Sequence, residues 1–131
     1  MLAAPGLIDL EVSSVLRRPV LSERLPLPRA QQAVADLIAL PLQRAPQLPL
    51  LARCWSLRDN LSVYDGSYVA LAESLDCVLL TADTGLSRAP GLRCVVEVVQ
   101  RLWPVYLDSR VSLHVRHLGR AQAAPLPAQQ R

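Results

Sequence analysis

Two aspartates, Asp65 and Asp83, are spaced so that their carboxylates are expected at one end of a helix–strand unit. Ser62 is a plausible N-cap, which puts Asp65 in the first turn of a helix that ends near Ser74. The short apolar run Cys77–Thr81 is typical of a covered parallel strand. The helix climbs roughly 13 Å and the strand returns roughly 16–20 Å, so Asp83 should follow the carboxyl end of the strand. Open α/β sheets bind ligands at that edge.

Asp65 also has an unusual position on its helix. At about 100° per residue it falls inside an apolar arc, formed by Tyr64, Tyr68, Val69, Leu71, Ala72 and Leu75. An ionised carboxylate among apolar neighbours is costly unless it is paired or bound to a cation. The alternative is an ordinary first-turn carboxylate, stabilised by the helix dipole.

A third carboxylate, Glu11, lies on the flank of another predicted helix, which runs from Leu7 to about Arg18 and is closed by Pro19. Its apolar stripe consists of Ile8, Val12, Val15 and Leu16. Like Asp65, Glu11 therefore lies on a helix face that should be buried, unless its side chain reaches round to water or to Arg18. Asp9 lies on the polar side and is expected to interact with the helix dipole.

The composition favours one compact cytosolic domain. The chain has 131 residues, 51% of them hydrophobic, and a net charge of +3 that is compatible with a nucleic-acid partner. Cys54, Cys77 and Cys94 show no metal-ligand spacing, so we expect reduced core thiols. No run is long enough to cross a membrane, and the N-terminus lacks the basic start of a signal peptide.

The remaining elements complete an α/β pattern. No strand is predicted before the first helix. The pattern predicts helices over 29–40 and 50–60, a short edge strand over 41–45 and a strand over 93–98. We divide the chain into a domain over 1–98 and an Arg-rich tail over 99–131, within which 110–117 alternates like a strand and the last dozen residues have a disordered composition.

Three segments together resemble the PIN-domain ribonucleases, in particular the VapC toxins of bacterial toxin–antitoxin pairs. They are LIDLEVSSVLRR at 7–18, RDNLSVYDGSYVALAE at 58–73 and LLTADTGLSR at 79–88. The resemblance covers roughly residues 3–98. It implies a three-layer α/β domain with a parallel sheet.

The same resemblance implies a Mg²⁺- or Mn²⁺-dependent endoribonuclease. Glu11, Asp65 and Asp83 match the catalytic, metal-binding acids, and Thr81 matches the hydroxyl residue before the last of them. Hard divalent cations prefer carboxylate oxygens, which agrees with this assignment. Arg18 and Arg88, with Arg17, are candidates for holding the RNA backbone. The resemblance further implies an RNA substrate, a cognate antitoxin, a homodimer and a cytoplasmic location.

The front of the sequence departs from the family, which begins with a central V-V-D-x-S-type strand carrying the first catalytic Asp. Residues 1–6 contain no such segment. We therefore expect an N-terminally truncated PIN-like domain in which the first strand is absent and activity is impaired. A mis-assigned start and a decaying gene are two explanations. A third is that the tail strand near Val111 fills the gap.

Three functional hypotheses follow. The first is a toxin-type ribonuclease. The second is a catalytically inactive PIN remnant that binds an antitoxin or dimerises. The third is a plain α/β domain without metal, which applies if Glu11, Asp65 and Asp83 do not converge.

Overall fold

The structure, a computed structural model, describes residues 2–99. Its strands are β1 (Leu2–Pro5), β2 (Leu42–Ala45), β3 (Leu79–Thr81) and β4 (Val96–Val98). Its helices are α1 (Ile8–Leu21), α2 (Leu27–Ala39), α3 (Leu51–Ser56) and α4 (Val63–Ser74), with short 3₁₀ turns at Leu48–Leu50 and Leu86–Arg88. The sequence predictions for the tail, which include the strand over 110–117, lie outside the described residues.

The strands form two parallel pairs. β1 pairs with β2, from Leu2 opposite Leu42 to Pro5 opposite Ala45. β3 pairs with β4, from Leu79 opposite Val96 to Thr81 opposite Val98. Within residues 2–99 these pairs are separate two-stranded sheets. The predicted α/β class with parallel strands is confirmed.

The prediction that no strand precedes the first helix is wrong, because Leu2–Pro5 forms β1. Its composition is poor for a strand, but the pairing pattern accommodates it. The Gly6 N–H donates to the Ala45 carbonyl at 2.8 Å. In a parallel pair the backbone groups of alternate residues point towards the partner strand, so those of Leu2 and Ala4 point towards β2 and those of Pro5 point away. The missing N–H of Pro5 therefore costs this ladder nothing.

Two helix ends differ from the predictions. Helix α1 does not stop at Pro19 but includes it and ends at Leu21. The Pro19 carbonyl then accepts the N–H groups of Arg24 and Leu25 at 2.9 and 3.0 Å, which closes the turn before α2. Helix α3 is shorter than predicted and ends at Ser56, where the Leu57 N–H caps it.

Helix α4 lies at the centre of the packing. Its residues 66–72 are all buried. Tyr68, Val69 and Ala72 join one core cluster with β1, β2 and β3, whereas Ala70 and Leu71 join a second cluster with Cys54 of α3. The predicted arc was therefore too narrow, and it wrongly included Tyr64, which is 67% exposed.

Arg44 of β2 ties the first half of the fold together. Its Nε donates to both carboxylate oxygens of Asp9 on α1, at 3.0 and 2.8 Å. Its other nitrogens donate to the carbonyls of Leu37 and Leu42. Asp9, which was expected only to interact with the helix dipole, thus fixes α1 against β2. Over residues 2–99, the helices are all too short or too polar to span a membrane.

Candidate functional site

Asp65 is held at the amino end of α4 by Ser62, the predicted N-cap. The Ser62 Oγ accepts the Asp65 N–H at 3.0 Å and donates to Asp65 Oδ2 at 2.7 Å. This reciprocal cap satisfies an orphan N–H of the first turn and fixes the carboxylate. Its half-buried side chain therefore lies at a defined place beside the helix end.

Glu11 reaches the same region from α1. The Tyr68 hydroxyl, one turn after Asp65 on α4, donates to Glu11 Oε2 at 2.5 Å. Tyr68 is buried and Glu11 is half-buried. Their contact joins α1 to α4 and links residues that are 57 positions apart in the sequence. Glu11 does not turn away towards water, as the alternative interpretation required.

The electrostatics show that these acids share one environment. Burial raises the pKa of Glu11 above its ordinary value, the Tyr68 hydrogen bond opposes that change, and the charge of Asp65 raises it again. Burial and the Glu11 hydrogen bond also raise the pKa of Tyr68, with further contributions from the charges of Glu11, Asp65 and Asp9. Tyr68 therefore stays a neutral hydrogen-bond donor between acidic groups.

Asp83 follows the carboxyl end of β3, as predicted, in a turn built by its neighbours. Its N–H donates to the Thr81 Oγ1 at 3.0 Å, and its Oδ1 accepts the Gly85 N–H at 2.7 Å. A Cβ at position 85 would lie 3.0 Å from Asp83 Oδ1, so glycine permits this close approach. The carboxylate itself is exposed.

Thr81 is fully buried. Since its hydroxyl already accepts the Asp83 N–H, its place in the structure suits the positioning of Asp83. A contact of Thr81 with the substrate, which its match to the family's hydroxyl residue implies, stays a prediction.

The structure thus joins Glu11 to Tyr68, with Asp65 close enough to raise the pKa of Glu11, and places Asp83 separately on the turn after β3. Among residues 2–99, no three His, Cys, Asp or Glu side chains form a ready-made ligand set for one ion. Asp9–Arg44, Glu73–Arg53 and Asp59–Arg58 form ion pairs that do not involve Glu11 or Asp83.

The three candidate RNA-binding arginines, Arg17, Arg18 and Arg88, are all exposed. Arg18 lies two turns after Glu11 on α1, on nearly the same side of the helix. Arg88 ends the 3₁₀ turn that follows Asp83.

Sequence reasoning missed the role of Tyr68, which it treated only as an apolar residue. A partial signal was available, because Tyr68 is three residues after Asp65 and side chains at that spacing share a helix face. Its contact with Glu11 depends on how α1 packs against α4, which local sequence does not reveal.

Comparison with known proteins gives concordant results. The family model described as "PIN domain" matches residues 1–92. VapC ribonuclease Mb0985 of Mycobacterium bovis is 43% identical over 100 residues, which cover 76% of this chain and 79% of that protein. Ribonuclease VapC1 of Mycobacterium tuberculosis is 46% identical over 101 residues, which cover 74% of each chain. Ribonuclease VapC12 of M. tuberculosis is 34% identical over 96 residues, covering 73% of this chain and 74% of its own. No solved structure gave a significant match.

Proposed function

The chain belongs to the PIN-domain family and resembles its VapC-type ribonucleases, and on that premise we propose that it is an endoribonuclease that uses Mg²⁺ or Mn²⁺. The observation that carries the proposal is the hydrogen bond from the Tyr68 hydroxyl to Glu11, with Asp65 close enough for its charge to raise the pKa of Glu11. Two acids from helices distant in sequence share one half-buried site, and a bound cation is the simplest way to make that arrangement favourable.

The donor set fits a hard divalent cation. Mg²⁺ prefers oxygen ligands and commonly keeps several waters, with only one or two protein carboxylates and the phosphates of its substrate. Glu11 and Asp65 supply two carboxylates. Asp83, on the turn after β3, supplies a third that we assign to the ion or to a water beside it.

When bound, the ion lowers the pKa of a coordinated water and stabilises negative charge on the attacked phosphate. The protein side chains prepare the place for this chemistry. Tyr68 orients Glu11, Ser62 orients Asp65, and Thr81 with Gly85 orients Asp83. Arg18 and Arg88, exposed near these acids, hold the RNA backbone through its phosphates.

We extend the proposal to the partners implied by the VapC-type relatives. The substrate is RNA, and a cognate antitoxin protein binds the folded chain and suppresses cleavage. A homodimer is proposed on the same ground. Each partner is tested directly, by co-purification with the neighbouring antitoxin and by sedimentation of the purified chain.

The resemblance also implies a further catalytic aspartate, carried by a V-V-D-x-S-type segment, and we propose that full activity depends on it. Within residues 2–99, no hydrogen bond joins β1 to β3, although Ala3 and Leu79 line the same small cavity against α4. A version extended upstream with a V-V-D-x-S segment should cleave RNA faster than the chain of 131 residues. Equal rates would remove this part of the proposal.

The central experiment measures cleavage of a mixed-sequence RNA by the full chain with Mg²⁺, with Mn²⁺ and with excess chelator. Cleavage should require the metal and should fall about 100-fold or more in Glu11→Gln, Asp65→Asn and Asp83→Asn, since each removes a charge that holds the ion. Asp59→Asn is the matched control, because the Asp59 side chain is 80% exposed and lies outside the site.

A second readout separates lost chemistry from lost folding. Mg²⁺ should raise the melting temperature of the unsubstituted chain and of Asp59→Asn, but not that of Asp65→Asn. Cleavage that survives the chelator, or equal activity in Asp65→Asn and Asp59→Asn, would overturn the proposal. Antitoxin binding without metal-dependent cleavage, in the upstream-extended version as well, would instead support an inactive binding module.

A further inference from the structure

Cys77 and Cys94 lie just before two neighbouring strands. β3 and β4 are parallel, and Leu79 lies opposite Val96. The Leu79 N–H donates to the Val95 carbonyl at 2.9 Å at this end of the pair. Cys77 and Cys94 each lie two residues before these partners, so both are at the same end of the pair of strands.

The positions of the two cysteines suit a disulfide bond. Paired strands lie about 4.8 Å apart, and cysteines in disulfides have their Cα atoms about 4.4 to 6.8 Å apart. Because Cys77 and Cys94 lie just before paired strands and line one cavity, we expect the two thiols to reach each other.

The surroundings also bring the two thiols together. Both are half-buried, both pack against the same core cluster, and both line one cavity with Ala72, Glu73 and Arg93. The Cys77 thiol donates to the Ala72 carbonyl at 3.4 Å. Burial, then Glu73, then Cys77 raise the pKa of Cys94, so its thiol reacts slowly at neutral pH. Cys54, by contrast, is buried in the other core cluster.

We propose that Cys77 and Cys94 are a redox modification site and form an intramolecular disulfide when the protein meets a peroxide. One thiolate attacks a peroxide oxygen, which gives a sulfenic acid and releases water or an alcohol. The second thiolate then attacks that sulfur and releases water, so two thiols are oxidised and one peroxide is reduced.

The disulfide would close the segment that contains Thr81, Asp83 and the 3₁₀ turn ending at Arg88. It ties the segment between α4 and β3 to the bend two residues before β4. Oxidation should therefore stabilise this segment by restricting its freedom in the unfolded chain. This inference does not depend on the proposed nuclease activity.

The test treats the purified full chain with hydrogen peroxide, alkylates the remaining thiols under denaturing conditions and identifies the linked peptides by mass spectrometry. Two of the three free cysteines should be lost to alkylation, in one peptide pair joining Cys77 to Cys94, while Cys54 is alkylated. The melting temperature should rise by about 10 °C and return to its starting value with a reducing agent.

The variants keep the result interpretable. Cys54→Ser should form the disulfide as the unsubstituted chain does, whereas Cys77→Ser and Cys94→Ser should lose it and show no rise in melting temperature. If either of the latter two fails to fold, Cys77→Ala and Cys94→Ala replace them. A bond to Cys54, a predominance of linked dimers, or three alkylated thiols after oxidation would overturn the proposal.

Discussion

Each end of α4 lies beside a partly buried glutamate, but the surroundings of the two glutamates differ. At the carboxyl end, Glu73 accepts two hydrogen bonds from Arg53 of α3, at 2.7 and 2.9 Å, and one from the Arg93 N–H at 2.8 Å. At the amino end, Glu11 of α1 accepts a hydrogen bond from the Tyr68 hydroxyl. The first glutamate faces a fixed cation, whereas the second faces a neutral group and a further acid.

The pKa values move in opposite directions for this reason. Burial alone would raise the pKa of Glu73, but the hydrogen bonds from Arg53 and Arg93 bring it below its ordinary value. Burial and the charge of Asp65 raise the pKa of Glu11 in spite of Tyr68. The carboxyl end of α4 is thus neutralised from within and serves stability. At the amino end, Glu11 keeps a raised pKa beside Asp65, and such a pair of acids suits an external cation.

Stability measurements should separate the two ends most clearly. Glu73→Gln leaves the Arg53 guanidinium largely buried without its countercharge and should cost about 2–3 kcal/mol of unfolding free energy. This expected loss is smaller than that for a fully buried ion pair, because the side chains of Arg53 and Glu73 are 23% and 11% exposed. Glu11→Gln removes a charge that is unfavourable without metal and should change stability by less than about 1 kcal/mol.

The measurement is urea unfolding of both variants at neutral pH in the presence of a chelator. Asp59→Asn, whose partner Arg58 is exposed, serves as the control for a surface acid and should be close to neutral. Equal losses in Glu73→Gln and Glu11→Gln would show that both glutamates are structural, and the distinction between the two ends would fail.

The pH dependence of stability should show the same contrast with a smaller amplitude. The raised pKa of Glu11 contributes stability below its ordinary value of 4.5, and this is lost as the pH rises through the raised value. The lowered pKa of Glu73 contributes stability above 4.5, and this is lost as the pH falls through the lowered value. Unfolding free energies are measured without metal at several pH values. As the pH rises, the stability of Glu11→Gln should increase relative to that of the unsubstituted chain, whereas the stability of Glu73→Gln should decrease relative to it. Parallel curves would contradict the assignment.

The amino end of α4 was predictable because its signals are local. Ser62, Asp65 and the apolar run after them specify a capped helix over a few residues, and the structure has that cap. Asp76, in the turn between helix and strand, has a φ of +48°, a conformation that aspartate tolerates. The placement of Asp83 after β3 followed from the same helix–strand unit.

The features that sequence reasoning missed depend on tertiary pairing. β1 consists of Leu-Ala-Ala-Pro, which has no β-branched residue, and its order comes from pairing with β2. The Asp9–Arg44 pair and the Glu11–Tyr68 contact each join residues at least 35 positions apart. Periodicity predicts which face of a helix is buried but not which element packs against that face. These contacts therefore could not be predicted from it.

The smallest expected effect isolates Tyr68. Tyr68→Phe removes the hydroxyl whose hydrogen bond lowers the pKa of Glu11, so that pKa should rise further. Loss of the hydrogen bond should reduce the unfolding free energy by about 1 kcal/mol. Protons then compete with the metal for Glu11 at higher pH, and the acidic limb of the RNA-cleavage profile should move upwards. Tyr64→Phe is the matched control, since Tyr64 is one turn earlier on α4 but 67% exposed. If both variants gave the profile of the unsubstituted chain, the Tyr68 hydroxyl would have no part in presenting Glu11 to the ion, and packing alone would hold that acid in place.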